Sequence, residues 1–412
     1  MNLLLKLAWR NIWRNKRRTL LTILAVVFAT FLSIVQRGFA DGTWEYNIRY
    51  MLDLFSGYIQ IQRVGYQENP KLTLSFSVNG TLMNILRSNP EIQNYSERIL
   101  ADGLISYKNN SSGIVIIGID VEKEKYISKL VERIDYGEYL SEQKNPEILV
   151  GYKLLKSLKA NVGDTIVILS QGIDGVLGNQ KFVIKGTFKL NSPEFDANGV
   201  FMNIHTAQEL LAMENRISII VIKMKDLKKV EFVADFINSK LSSNKMSELV
   251  ALRWDQVLTD IKELREFDSI GDKFFMFILI IIVSFGILNT ITMSVVERFR
   301  EIGITLSIGM KPFKIFSLLI IETFFITIIG LIIGNIFGYI VNNYFEKNPV
   351  LLTKDYEQLY AEYGFLPLLP SSTELSIFIN TSILILLISL ITCLYPAFKA
   401  YRLEPLKGIR YT

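Results

Sequence analysis

The chain has 412 residues, half of them hydrophobic and only 21% charged, with 45 basic against 40 acidic side chains and a formal net charge of +5. Ten prolines and 25 glycines without a G-x-y period exclude a collagenous or low-complexity chain. A single cysteine, Cys393, excludes an intrachain disulfide and a multi-thiolate metal centre, and a single histidine, His205, excludes paired-histidine zinc chemistry.

Residues 1–18 carry Lys6, Arg10, Arg14, Lys16, Arg17 and Arg18 with no acid, and read as an amphipathic segment. The run 19–35 then has 17 residues without a charge, and 36–39 complete a first membrane helix over 19–39. SIVQRGFADG offers no good A-x-A cleavage site, so this segment reads as a retained anchor and not a signal peptide.

Residues 40–272 are polar enough for water and read as a mixed α/β domain. Helical spacing continues over 44–54. Strands are expected over 57–64, 114–119, 148–150, 165–169, 182–188, 200–204 and 217–224. Helices are expected near 82–86, 152–158, 206–213 and 230–241. The interleaving suggests two α/β lobes, with a β-rich subdomain near 147–205. Gly172, Gly175 and Gly178 lie between strands and read as turn residues, and His205, just before a helix, as a structural or capping residue. Val257, Ile261, Leu264 and Phe267 recur at helical spacing, a lever towards the second membrane helix with Gly271 permitting an adjustment.

Three more apolar stretches follow. The second membrane helix is expected over 273–296, the third over 315–341 and the fourth over 377–395, with a cytoplasmic loop at 297–314, an outer loop at 342–376 and a tail from 396. Stretches of this length without a polar stripe have no face for water, which argues against four buried helices of a soluble core. In the third, Glu322 is the one charge among 27 positions, so its carboxylate should be neutral, paired, or shallow enough to reach water. Gly330, Gly334 and Gly338 repeat every four residues and give one bare face for helix packing, expected at the contact with a second permease copy. Cys393, inside the fourth helix, is expected to be inert.

Charge sets the orientation. The segments 1–18, 297–314 and 396–412 together hold 14 basic and 3 acidic residues, while the rest of the chain is net −6. The positive-inside rule places both termini and the 297–314 loop in the cytoplasm and 40–272 outside. The basic excess is therefore a topology signal, and no nucleic-acid partner is implied.

No G-x-x-x-x-G-K-[ST] run and no G-x-G-x-x-G occurs, so the chain has no phosphate-binding loop or dinucleotide fingerprint of its own. No nucleophile–base set stands out; the sequence does not read as an enzyme. The most informative segment is 293–315, MSVVERFREIGITLSIGMKPFKI. Glu297 and Glu301 stand four apart with Arg298 and Arg300 interleaved, capable of salt bridges along the segment or with a partner. Gly303 and Gly309 permit a turn or close packing, and Phe299, Ile302 and Leu306 could seat in a partner's groove.

ERFREIGITLSIG with Glu322 after it, PAFKAYRLEPLKGIR at 396–410 and LAWRNIWRNKRRTLLTILAV at 7–26 resemble the signatures of MacB/FtsX-like ABC transporter permeases. SGYIQIQRVGY at 56–66, VGDTIVIL and IKGTFKLNSPEFD are most similar to the lipoprotein-releasing (LolC/LolE-like) branch. The chain departs from the family pattern at Leu306 and Ser307, where members carry a basic residue and then Ala, and its 342–376 segment is longer than the branch generally shows. The resemblance implies four membrane helices with a MacB-like periplasmic core domain between the first and second. It implies location in the bacterial cytoplasmic (inner) membrane and pairing with a second permease, either the same chain or a related paralogue. It also implies a separate ATPase dimer that binds ATP and Mg and docks on a coupling helix formed by the 297–314 loop. A lipoprotein carrier or a periplasmic adaptor is the expected outer partner. Drug or peptide efflux, and mechanical regulation of a cell-wall hydrolase, are the competing functions within the superfamily. The 233-residue outer domain and the missing fused ATPase favour lipoprotein release.

Overall fold

A computed structural model describes residues 2–353, 360 and 365–402. In chain order the elements are α1 (Asn2–Arg14), α2 (Lys16–Met51), β1 (Ile59–Arg63), β2 (Phe76–Ser77), α3 (Gly80–Arg87), β3 (Ile92–Tyr107), β4 (Asn110–Ile119) and α4 (Val121–Ile127). Next come β5 (Ile134–Gly137), β6 (Glu147–Gly151), α5 (Tyr152–Leu158), β7 (Thr165–Gln171), β8 (Leu177–Phe188), α6 (Pro193–Asn198), β9 (Gly199–Asn203) and α7 (Ile204–Leu210). Then follow β10 (Arg216–Ile217), β11 (Ile219–Met224), α8 (Val230–Ser243), β12 (Leu249–Arg253), α9 (Trp254–Val257) and α10 (Thr259–Glu297). The remainder is α11 (Phe299–Ser307), α12 (Pro312–Lys347), β13 (Val350–Leu351), β14 (Leu368–Leu369) and α13 (Leu375–Tyr401). The chain forms two compact units: residues 1–45, 264–351 and 368–412 in one, 46–263 and 352–367 in the other.

Among the described residues, the first unit carries four helices long and apolar enough to cross a membrane. They run past the ends of their apolar stretches: α2 continues to Met51, α10 passes through Gly271 without a break, and α12 extends to Lys347, six residues beyond the expected end. Residues 354–359 and 361–364 of the 342–376 loop and the tail beyond Arg402, including Glu404, Lys407 and Arg410, lie outside the described residues. Buried side chains from all four helices form one cluster, with Val26, Val283, Leu319 and Ile385 among them. Cys393 is fully buried there, with its sulfur 3.0 Å from Thr323 Oγ1.

The glycine face of α12 packs inside the chain. A Cβ at Gly330, Gly334 or Gly338 would fall 2.7, 2.6 and 2.7 Å from Val26 Cβ, Thr30 Cβ and Ile34 Cγ2, all on α2. The bare face expected at a contact between permease copies is filled by the chain's own first membrane helix. Small residues at a four-residue repeat permit close backbone approach between any two helices, and the sequence pattern does not name which.

The second unit holds one ten-stranded sheet, ordered β12-β1-β11-β3-β4-β9-β6-β8-β5, with β7 paired to β3 and β8. The strands expected as a separate β-rich subdomain near 147–205 therefore belong to the same sheet. β4–β9 and β6–β8 pair in parallel and the rest antiparallel. Its core includes Ile117, Leu149, Phe188 and Phe201. β3, 16 residues long, gave no strand signal because its buried positions include Ser96, Glu97 and Arg98. Arg98 is fully buried. Its guanidinium donates to both Glu124 oxygens (Nε to Oε2 at 3.1 Å, Nη2 to Oε1 at 2.5 Å) and to the Phe55 carbonyl, and lies 4.4 Å over the Phe55 ring. A buried charge is tolerated only when paired this fully. β12 and α4 were also unanticipated from the sequence. The cap ahead of α7 is Asn203, whose Oδ1 accepts from His205 N at 2.9 Å; His205 is exposed in the first turn, its Nδ1 3.2 Å from Gln208 Oε1.

Gly334→Leu should destabilise the single chain by about 1–3 kcal/mol through overpacking against Thr30. Unfolding of the detergent-purified monomer measures this. Unchanged monomer stability with lost dimer assembly would return the glycine face to a contact between copies.

Candidate coupling site

α10 ends at Glu297 and α11 begins at Phe299, leaving Arg298 at the corner with φ −104° and ψ 9°. α11 ends at Ser307, and the turn beyond it closes at Gly309, whose φ of +101° is left-handed and whose N–H reaches the Leu306 carbonyl at 3.0 Å. Pro312 then opens α12 at a position where a missing N–H costs nothing. The result is a short helix held between two membrane helices by a sharp turn at each end.

Phe299, Ile302 and Leu306 lie on the face of α11 turned into the membrane unit. They are 7–9% exposed and join the cluster with Val295, Ile315 and Leu319. The sequence reading offered them to a partner's groove; the structure instead uses them to anchor α11 on its own chain. Gly303, buried on the same side, keeps that face slim. The free face is the opposite one. Ile304 and Ile308, four residues apart, are 44% and 82% exposed, and Phe313 is 66% exposed. Arg300, Glu301, Lys311 and Lys314 surround them, all exposed. In the sequence the charges around these apolar groups mask them. The signal available was the second i, i+4 apolar pair, offset from the first.

The charges form a hierarchy of depth. Arg298 turns inward, its Nη1 at 3.2 and 3.3 Å from the two oxygens of Glu322. Asn11 Nδ2 of α1 donates to Glu322 Oε1 at 2.6 Å. Glu322 is thus paired and buried, one of the arrangements a lone intramembrane carboxylate permits. A cavity of about 40 Å³ adjoins it, walled by Arg18, Thr19, Thr22, Thr290, Ser294 and Thr327 among others, a polar space large enough for water. Nearer the surface, Arg18 pairs with Glu297 and donates to Ser294 Oγ at 3.0 Å. Arg14 Nη2 and Glu301 Oε2 meet at 2.8 Å with both side chains more than half exposed. α1 and α2 are therefore tied to the turn through Asn11, Arg14 and Arg18, contacts that no spacing rule reveals because they join residues nearly 300 positions apart.

At the other end of α2, α10 and α13 lies a cavity of about 440 Å³. Met276, Phe277, Ile280 and Leu384 form its apolar wall; Arg37, Asp41, Asp272, Lys273 and Asn380 form its polar side. Asp41 accepts from Arg37 Nε at 2.9 Å and Arg265 Nη2 at 2.7 Å, and Asp272 from Gln36 Nε2 at 2.7 Å. Among the described residues no group of three or more His, Cys, Asp or Glu could hold a metal ion.

Residues 273–405 match the FtsX-like permease C-terminal family and residues 19–239 the MacB-like periplasmic core domain. The chain is 23% identical over 281 residues to an uncharacterized ABC transporter permease of Methanocaldococcus jannaschii, a match covering 67% of this chain and 65% of that one. It is 22% identical to the lipoprotein-releasing system transmembrane protein LolC of Xylella fastidiosa, over 71% of this chain and 72% of the relative. It is 20% identical to a probable export ATP-binding/permease protein of Pseudomonas fluorescens, over 98% of this chain and 59% of the relative. The periplasmic region of MacB from Actinobacillus actinomycetemcomitans superposes with a TM-score of 0.37 at 16% identity, covering 52% of this chain and 96% of that one.

Arg298→Met strands Glu322 with a single neutral donor. We expect a loss of about 2–4 kcal/mol, below the roughly 3–5 of a fully buried pair because the two side chains stay 15% and 11% exposed. The double variant Arg298→Met with Glu322→Met should recover most of that loss. Arg14→Ala, which breaks a largely exposed pair, should cost under about 1 kcal/mol. Thermal unfolding of the three purified variants checks the order, and equal losses for Arg14→Ala and Arg298→Met would contradict it.

Proposed function

The chain belongs to the MacB/FtsX-like ABC permease superfamily, a multi-pass protein of the cytoplasmic membrane with a large extracytoplasmic domain, and from that premise we propose that it couples ATP hydrolysis on a separate ATPase dimer to release of lipoproteins from the outer leaflet. The observation that carries the substrate class is the cavity at the outer ends of α2, α10 and α13. An acylated polypeptide has an apolar chain and a polar head. The apolar wall of Met276, Phe277, Ile280 and Leu384 suits the first, and the polar side of Arg37, Asp41, Asp272, Lys273 and Asn380 suits the second. The identity shared with LolC of Xylella fastidiosa supports the same reading.

In this mechanism the ATPase grips α11. Ile304, Ile308 and Phe313 supply the apolar anchor, and the exposed Arg300, Glu301, Lys311 and Lys314 set register and association rate. Arg298 and Glu322 lie behind the surface and hold α11 to α12, so displacement of the docked helix is passed to the membrane helices. ATP and Mg act on the partner; this chain contributes docking, force transmission and substrate contact. Pairing with a second permease, the same chain or a paralogue, and hand-over to a lipoprotein carrier complete the assembly.

A second reading, export of a drug or peptide through a periplasmic adaptor, is favoured by the relatives named as exporters, which align with 98% of this chain. One reconstitution separates the two. In proteoliposomes with the cognate ATPase, a triacylated lipoprotein should stimulate hydrolysis and leave the membrane for a soluble acceptor. Phe277→Glu should lower that stimulation at least tenfold while basal hydrolysis stays within twofold. Ile308→Asp should instead weaken ATPase binding at least tenfold, against two- to threefold for Arg300→Ala. Stimulation by a drug or soluble peptide, with none by the lipoprotein, would overturn the release reading. Undiminished ATPase binding to Ile308→Asp would overturn the docking surface.

A further inference from the structure

The outer unit contains a cavity of about 830 Å³, within the range of roughly 300–1,000 Å³ for ligand sites. It lies over the face of the sheet carried by β1, β3, β4 and β11. Leu100, Val115, Ile219 and Phe195 make an apolar floor. Burial, outweighing the hydrogen bond with Ser218, holds the Tyr66 hydroxyl above its usual range, so that wall is neutral too.

Three carboxamides line the same space: Gln60, Gln62 and Gln67. Gln60 and Gln62, on one face of β1, are 6% and 1% exposed, which an interior tolerates only where the amides are hydrogen-bonded. Their orientations are fixed from both ends. Gln60 Nε2 donates to the Ser56 carbonyl at 2.8 Å, and Gln67 Nε2 donates to the Val257 carbonyl at 3.1 Å. Backbone carbonyls only accept, so both glutamines must turn Oε1 inward. Gln62 Nε2 donates to those two oxygens at 3.3 and 3.0 Å. Gln62 Oε1 is then a buried acceptor without a donor. Flipping any of the three amides would set like groups against each other, so the assignment is determined by the network. Buried acceptors left without a partner are rare in folded proteins and call for an explanation.

β1 is hydrogen-bonded on both sides, to β11 and β12, so it offers no free edge for strand addition. A ligand here meets side-chain amides. The rim bears Asp102 and Glu194 against Lys71, which disfavours an anion. A plain acyl chain would leave the amides unused, whereas a peptide group matches a carboxamide donor for acceptor.

We propose that this cavity binds an uncharged or cationic peptide segment, its apolar side chains on the Leu100–Val115 floor and a backbone N–H anchored by the Gln62 carboxamide. The proposal stands on the cavity alone and does not depend on the substrate reading above. It is tested on the full chain in lipid nanodiscs, titrated calorimetrically with acetyl-Leu-Gly-Leu-amide and corrected with empty nanodiscs. We expect saturable one-to-one binding. The ester analogue, with oxygen in place of the glycine N–H, should bind at least tenfold more weakly. Gln62→Leu should lose at least tenfold in affinity for the amide, and because it removes the donor to Gln60 Oε1 and Gln67 Oε1 its unfolding temperature should fall modestly. Val115→Trp, which fills the cavity from its floor, should abolish binding and so decides the matter if Gln62→Leu does not fold. Absence of saturable binding at millimolar peptide, equal affinity for amide and ester, or undiminished binding by Val115→Trp would overturn the proposal.

Discussion

A carboxylate within a membrane helix must find a partner, and the partner that Glu322 finds shapes the cytoplasmic end of this protein. Arg298 supplies the countercharge from the corner between α10 and α11. Once that guanidinium is committed inward, Phe299, Ile302 and Leu306 follow it into the apolar cluster. The other side of α11, with Ile304 and Ile308, is left facing out. Asn11 brings the amphipathic α1 to the same carboxylate. One buried ion pair thus fixes which face of α11 is structural and which is free.

The same economy explains why the charge-rich loop separates into two functions. Exposed pairs such as Arg14–Glu301 contribute little to stability and can be exchanged for contacts with another protein. The buried pair cannot be exchanged without leaving a charge in an apolar setting. An ATPase that docks on the free face would therefore push on a helix whose hold on α12 is stronger than its surface charges suggest. The outer unit uses a parallel device: Arg98, fully buried and bonded to Glu124 and the Phe55 carbonyl, ties three separate stretches of one sheet domain.

The membrane helices and their orientation were legible from the sequence because apolar length and charge asymmetry are local properties. The family pattern at 297–309 was legible for the same reason. The partners of those residues were not. Nothing in the spacing of ERFREIG distinguishes Arg298, which turns inward, from Arg300, which turns out, until Glu322 is known to lie opposite. The glycine repeat announced a close helix contact but not that Val26, Thr30 and Ile34 of the same chain fill it. β3 escaped notice because a strand with Glu97 and Arg98 buried breaks the alternation that marks strands, and a residue 26 positions away satisfies that arginine. Local pattern revealed the elements; pairing between distant elements revealed the site.

We propose that the Arg298–Glu322 pair transmits movement of the docked helix, apart from any part in docking. The most direct measurement is the number of substrate molecules released per ATP hydrolysed by the reconstituted complex carrying Glu322→Gln. Wild-type affinity for the ATPase, near-normal hydrolysis and a release ratio lowered several-fold are expected. A wild-type ratio in a variant that has lost the ion pair would contradict it.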